Sequence, residues 1–441
     1  MNPLHRVARW AVNRKLGNLR WEDPGRLAGG VRPGRSFLYI HVPFCESICP
    51  FCMFNAHKLD RRSTQVQDYF AALKQELLMY EAAGFDFGAA YVGGGTPALV
   101  HEELAEFLEF VRERFDLAEI SVEANPRISN AAVQSFQAVG VDRLSVGVQS
   151  FDDGMLERLG RLEAYGTGAE IRERVNRLLG RFRIVNVDFI FNLPGHDPEV
   201  LARDLEIAVS DGIDQLTTYP LMEAQQNRHY VDRQGRISYD LEARLYKQVI
   251  LPALREHYTP VSSWCFSRKD KPEIDMLDEY VVDYFDYVGI GTGSMSLHDG
   301  RVSVNAYTLP LYQRLISRGE LPVVLESAPL ARRDYMLYYL MMALFGRRVN
   351  CKQFEDIFGV SLRRALWPEC AALRAMGLVY AHGDHIYTNE RGMYVFLMIL
   401  REFFTHVNRF RSLAREASRK LEKQHLPEPQ LAFEPVAGAL D

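Results

Sequence analysis

The chain has 441 residues, 47% hydrophobic and 25% charged, which predicts a globular protein of two or three domains. A formal net charge of −5 gives no electrostatic case for nucleic acid, and six cysteines are too few for a disulfide scaffold and suit a reducing cytosol. Arg6, Arg9, Arg14 and Lys15 interrupt the early apolar runs, so no secretory signal is expected, and no uncharged run approaches the ~18 residues of a membrane span.

Residues 1–35 form a basic arm, with eight Lys or Arg against Glu22 and Asp23. Val7, Trp10, Ala11 and Leu16 could line one face of a short helix there. The arm reads as a solvated segment, as a lid whose arginines meet substrate carboxylates, or as an interfacial membrane contact. From 36 to 225, strand and helix patterns alternate. Strands are predicted at 36–42, 89–92, 119–124, 143–148, 185–191 and 215–221, with amphipathic helices near 65–83, 101–115, 130–138, 169–180 and 199–210. Repeated βα units imply a parallel sheet with helices outside and ligands at the carboxyl ends of the strands.

The first strand stops at Pro43, and the loop after it carries Cys45, Cys49 and Cys52, a C-x₃-C-x₂-C triplet with no fourth cysteine nearby. Three thiolates this close can converge on one metal centre, whereas a structural zinc site needs four ligands and an iron–sulfur cluster usually takes four thiolates. Buried thiols, or a zinc site completed by His41 or His57, are the plainer alternatives. The triplet after a first strand resembles the radical SAM superfamily. The wider string Tyr39-x-His41-x-Pro43-Phe44-Cys45 is similar to its oxygen-independent coproporphyrinogen III oxidase-like branch, which also includes a heme chaperone. That resemblance implies a partial (β/α)6 radical SAM barrel with a small helical, winged-helix-like C-terminal domain. It also implies a [4Fe–4S] cluster that binds S-adenosylmethionine at an open iron and cleaves it reductively to a 5′-deoxyadenosyl radical.

Further along the chain, Gly93-Gly94-Gly95-Thr96-Pro97 follows the second strand, where glycines allow close backbone approach and free N–H groups can bind a carboxylate. Alone it reads equally as a turn; the resemblance makes Gly94, Gly95 and Thr96 contacts of the methionyl group, and places Tyr39 and Phe51 among the cofactor-binding residues. Glu123 ends the third strand and is either a surface acid or, by the resemblance, a ligand of S-adenosylmethionine. Gln149, Arg161 and Asp188 match oxidase positions that hold a second S-adenosylmethionine. Their plain alternatives are a surface charge for Arg161 and a loop cap for Asp188. Met295, in Gly289-Ile290-Gly291-Thr292-Gly293-Ser294-Met295-Ser296, matches a position whose backbone contacts the first nucleotide, although a tight turn between strands fits as well. His41 or Tyr39 could relay a proton, or His41 could make a structural hydrogen bond.

The expected domains are the arm at 1–35, a barrel core at 36–225, an extension and connecting segment at 226–325, a C-terminal domain at 326–392, a helix at 393–425 and a disordered tail at 426–441. Within the C-terminal domain, helices are expected at 332–345, 351–358 and 362–376, then a short hairpin. No basic recognition face suits this domain to DNA. The final helix, apolar first and basic later, reads as docked on the core, with a peripheral membrane contact as the alternative.

Two departures bear on function. The oxidase carries a fourth cysteine two residues after the third, where this chain has Phe54, and this puts coproporphyrinogen decarboxylation in doubt. The chaperone is shorter and lacks the basic arm and the long last helix. The leading expectation is therefore a cytoplasmic, monomeric radical SAM enzyme that uses two S-adenosylmethionines for C-methyl transfer to a tetrapyrrole or other apolar aromatic, with flavodoxin or ferredoxin as electron donor. A porphyrinogen oxidase and a heme chaperone are the alternatives.

Overall fold

The computed structural model describes residues 6, 9, 12, 13, 19–22, 35–60, 62–271 and 286–425. Most of the basic arm and the whole 426–441 tail lie outside the described residues, as do Val7, Trp10, Ala11 and Leu16.

Six parallel strands follow one another in chain order across the sheet: β1 (Ser36–Val42), β2 (Phe87–Gly94), β3 (Glu119–Ala124), β4 (Arg143–Gln149), β5 (Ile184–Phe191) and β6 (Gln215–Pro220). Sequential order, with a helix between successive strands, is the arrangement that curls into a barrel instead of winding both ways from a central strand. The intervening helices include α1 (Gln65–Ala82), α2 (His101–Arg112), α3 (Asn130–Ala138), α4 (Gly168–Asn176) and α5 (Pro198–Ser210). Their starts are written in the sequence. The Ser129 hydroxyl accepts from the Ala132 amide, Thr167 and Glu170 make a reciprocal capping box, and Asp197 caps α5 just before Pro198.

Along β4 the residue types split by face. Leu144, Val146 and Val148 join the large apolar core shared with the helices, while Arg143 and Ser145 bond across the sheet to Ser121, Gln215 and Asp188. The interior of this barrel is thus polar at mid-height. A small aromatic cluster of Phe37, Ala89 and Tyr91, with Tyr39 and Tyr287 packed on it, fills part of the rest.

The segment that reads as irregular in sequence is where the structure adds most. Tyr287–Ile290 pairs in parallel with β1 on the side away from β2, then Met295–His298, Arg301–Asn305 and Val323–Ser327 continue the sheet as an antiparallel meander. Cys265–Arg268 and Tyr258–Pro260 extend it antiparallel beyond β6. These strands are short and carry Gly and Ser, which hides their period. The two far edges do not pair with each other among the described residues, so the barrel is open.

The C-terminal region contains α6 (Arg332–Phe345), shorter helices and a three-stranded sheet of Arg348–Asn350, Val379–His382 and His385–Thr388. The stretch expected as one helix over 362–376 is broken at Leu366, because Pro368 has no amide to continue the ladder and instead starts a new helix. The last helix, α7 (Glu390–His425), then runs across the open side. Phe404 packs on Trp264 near one edge, and Phe410 meets Trp21 on the other. Ser418 accepts from the Tyr307 amide. A buried ion pair, Arg401 to Glu242, fixes the helix midway, and the Tyr394 hydroxyl donates to the same carboxylate.

Candidate functional site

The cysteine loop leaves the carboxyl end of β1 and is closed at its base. Phe44–Cys45 pairs with His57–Lys58, and the amides of His57 and Leu59 donate to Pro43 and Cys45 carbonyls. Within it the Cys52 amide turns back onto the Cys49 carbonyl at 3.0 Å. Cys45 is buried, with the Thr96 hydroxyl 3.7 Å from its sulfur; Cys49 and Cys52 are half-buried. Burial pushes the Cys45 thiol up to about 11 and the Cys52 thiol up to about 12, so both are thiols at neutral pH unless a cation takes the proton's place.

Arg161 supplies positive charge at the loop. It is 5% exposed, lies against the Tyr165 ring at 4.1 Å, donates to the Gly147 carbonyl, and reaches the Cys49 sulfur at 3.2 Å. Gln149 lies nearby at a bulge between β4 and β5, in a left-handed conformation with φ of 77°. Asp188 sits deeper in the barrel, accepting from Ser145 and from Asn186 at 2.7 Å. Arg161 thus reaches the cysteine loop, Gln149 ends β4 just beyond the Gly147 that Arg161 meets, and Asp188 pairs with that glycine and bonds to Ser145 further down the strand.

The opposite side is built on the glycine turn. Glu123 accepts from the Tyr91 hydroxyl at 2.9 Å and from the Gly94 amide at 3.1 Å. The Gly95 amide donates to Val42 and the Thr96 amide to Phe44, both at 2.8 Å. The amides at 94–96 are thus occupied within the protein, unlike the free cradle read from sequence. Gly94 has φ of 115°, and a Cβ there would stand 2.4 Å from the His41 ring. A Cβ on Gly95 would stand 2.6 Å from the Phe44 carbonyl. The glycines let this turn pack directly beneath the start of the cysteine loop.

His41 is 2% exposed and both its ring nitrogens have partners. Nε2 is 2.8 Å from the Asn55 carbonyl, which can only accept, so the proton sits on Nε2. Nδ1 then accepts from the Tyr39 hydroxyl at 3.0 Å. Burial holds this imidazole down at about 4, neutral throughout the physiological range. Phe51 packs against the Met155, Leu159 and Tyr230 cluster, and its carbonyl accepts from Asn227. Met295 begins a strand two removed from β1, with its backbone pressed on Gly289.

Several supports carry no motif in sequence. Tyr91 orients Glu123. Asn55 holds Thr292 and Tyr307 carbonyls through its amide. Glu76, fully buried on α1, accepts from the Gly291 amide, Asn305 and Tyr312, and so fixes the 289–296 segment. Only the run Gly291-Thr292-Gly293 hints at such a need for anchoring.

Among the described residues, no three His, Cys, Asp or Glu side chains are close enough to share one metal ion. Sulfurs on a single ion at 2.3 Å stand at most roughly 4.6 Å apart, a limit that does not apply when each sulfur holds a different iron of a cluster. Both nitrogens of His41 are engaged, whereas His57 Nε2 is buried without a hydrogen-bond partner among the described residues. The sulfurs of Cys45, Cys49 and Cys52 feel one another's charge, so a group that takes three thiolates suits this loop.

The signature of the radical SAM superfamily matches residues 39–208. Among relatives, the heme chaperone HemW of Bacillus subtilis is 27% identical over 372 residues, 80% of this chain and 95% of that protein. The oxygen-independent coproporphyrinogen III oxidase of Escherichia coli is 30% identical over 194 residues, 41% of each chain, so that match spans less than half of the enzyme. The solved structure of the coproporphyrinogen III oxidase HemN from Escherichia coli, described as a radical SAM enzyme, superposes with a TM-score of 0.66 at 21% identity, covering 84% of this chain and 91% of that one.

Proposed function

We propose, from the premise that this chain belongs to the radical SAM superfamily in its coproporphyrinogen III oxidase-like branch, that it cleaves S-adenosylmethionine and uses a second one for methyl transfer to a largely apolar aromatic substrate such as a tetrapyrrole. The observation that carries the reading is the three-cysteine loop at the carboxyl end of β1, facing Glu123 on one side and Arg161 on the other. The superfamily's [4Fe–4S] cluster supplies an electron, and its S-adenosylmethionine supplies a 5′-deoxyadenosyl radical.

In this reading Cys45, Cys49 and Cys52 hold the cluster and leave one coordination position for the nucleotide. Arg161 offsets the charge of the Cys49 thiolate. Glu123, held by Tyr91 and the Gly94 amide, presents a carboxylate of fixed orientation to the nucleotide, and Gly94, Gly95 and Thr96 shape the floor beneath it. Tyr39 and His41, bonded to each other and to the Asn55 carbonyl, orient the loop. Phe51 and Met295 bound the nucleotide on either side. Gln149, Arg161 and Asp188 form the polar wall against which the second nucleotide would lie. Helix α7 and the cysteine loop keep water from the interior, which a radical needs to survive.

A second reading, heme carriage without turnover, is favoured by the match over 80% of this chain to a protein named a heme chaperone. Anaerobic reconstitution with iron and sulfide, followed by S-adenosylmethionine and dithionite, separates the two. Formation of 5′-deoxyadenosine together with S-adenosylhomocysteine supports methyl transfer; 5′-deoxyadenosine alone points to oxidation or decarboxylation. A stoichiometric heme complex with neither product overturns the enzymatic reading.

A further inference from the structure

Helix α7 brings a pair of arginines to the cysteine loop. Asn408, Arg411 and Arg415 share one face at i, i+3 and i+7. Asn408 donates to the Glu223 carbonyl and lies 3.4 Å from the Met53 sulfur, which sets this face against the second half of the loop. The Arg411 guanidinium lies 5.0 Å from the centre of the Phe54 ring and, among the described residues, donates only to Asn408. Arg415 lies 4.8 Å over the Tyr307 ring.

Neither guanidinium meets a carboxylate among the described residues. Two like charges at i, i+4, half-buried and unpaired, are unfavourable for the folded protein by themselves. Burial together with the charges of Arg419 and Arg411 pulls Arg415 below its ordinary value. Directly beneath, the Tyr307 hydroxyl is buried, on a side chain 3% exposed, without a hydrogen-bond partner among the described residues. Asn408 touches Met53, the residue after Cys52, so this positive region borders the candidate site itself. Phe54 and Ile48, 39% and 52% exposed, leave apolar surface beside it.

We propose that Arg411, Arg415 and the Tyr307 hydroxyl form an anion-receiving site that seats a carboxylate or phosphate group carried by an otherwise apolar substrate. The proposal rests on the reading above in taking the cysteine loop as the place where the substrate meets the nucleotide. Two guanidinium forks supply the planar donor geometry that such groups need, and the Phe54 and Tyr307 rings hold the forks in place. The anion would relieve the repulsion between the two cations and give the orphaned hydroxyl a partner. It would also fix which end of the substrate faces the cysteine loop.

The test uses the anaerobically reconstituted full-length protein, melted in chloride, inorganic phosphate or phthalate at matched ionic strength, since bound anions raise the melting temperature and screening alone does not discriminate between them. Phosphate or phthalate is expected to stabilise beyond chloride. Losing one charged donor should weaken the apparent affinity at least about tenfold in R411Q or R415Q. A larger response to phthalate assigns a carboxylate, and a larger response to phosphate assigns a phosphate. R411K and R415K keep the charge without the fork and should retain part of the effect, which guards against loss through misfolding. No specific stabilisation in the wild type, or an undiminished one in the double variant, overturns the proposal. Equal weakening of S-adenosylmethionine binding would place the nucleotide's own carboxylate there and overturn it too. Iron content and cluster absorbance, read on the same samples, report separately on the radical SAM reading.

Discussion

The guanidinium of Arg161 lies 3.2 Å from the sulfur of Cys49, joining the segment between β4 and α4 to the loop after the first strand. A cation beside a cluster thiolate stabilises the reduced, more negative state. Arg161→Gln is therefore expected to lower the cluster's reduction potential and to reduce S-adenosylmethionine cleavage by roughly 10- to 100-fold, the range seen when groups supporting metal ligands are removed. A potentiometric titration followed by electron paramagnetic resonance checks it, and an unchanged potential would count against the contact.

Gly94 cannot carry a side chain as the turn stands. Its φ of 115° disfavours other residues, and a Cβ would stand 2.4 Å from the His41 ring. Gly94→Ala is expected to cost about 2–4 kcal/mol and to impair iron retention, because relief requires moving His41 and with it Asn55 at the end of the cysteine loop. Chemical denaturation and iron analysis measure the two effects.

Glu76 gives a pH signature. Burial raises its carboxyl from 4.5 to about 7, against the lowering effect of three hydrogen bonds. The folded protein therefore keeps this proton over a range where the unfolded chain has lost it. Its contribution favours folding at low pH and is lost as pH rises from about 4.5 through about 7. Glu76→Gln is expected to flatten that part of the profile, by an amount on the order of 3 kcal/mol. Urea denaturation at pH 5 and pH 8 on both proteins reads it. The variant also loosens the 289–296 segment, since an amide cannot accept from both the Gly291 amide and Asn305.

Docking of α7 depends on a buried ion pair. Arg401→Met leaves Glu242 charged in the interior beside Tyr394 and should destabilise by about 3–5 kcal/mol. Adding Glu242→Gln should recover much of that loss. If the single variant is as stable as the wild type, α7 is not held to the barrel as described.

The barrel was legible because its strands are buried on both faces and so read as mostly apolar runs rich in β-branched and aromatic residues: Phe37 to Val42, broken only by His41, and Ile184 to Phe191, broken by Asn186 and Asp188. The cysteines stood out by their spacing just after a strand's end, whereas Glu123 reads by itself as a surface acid and was singled out only by the resemblance. Tyr91, Asn55 and Glu76 did not, since their roles come from contacts far along the chain. Asn55 meets residues 237 and 252 positions away, and Glu76 meets residues 215 to 236 positions away. The glycine turn misled in one respect: a run of glycines shows where backbone comes close, not whether its amides stay free, and here Glu123, Val42 and Phe44 take them. Arg411 and Arg415 belong to the basic second half of a helix that reads as docked on the core, but their approach to Phe54 and Tyr307 follows only from α7 crossing the barrel's open side.

The most direct test is iron and sulfide stoichiometry of the anaerobically reconstituted chain, with and without Cys45, Cys49 and Cys52 replaced by Ala, read alongside 5′-deoxyadenosine formation. About four irons and four sulfides per chain, with cleavage of S-adenosylmethionine, both abolished in the triple variant, is the predicted result. Cleavage that survives the triple replacement, or a wild-type chain that takes up no cluster, contradicts it.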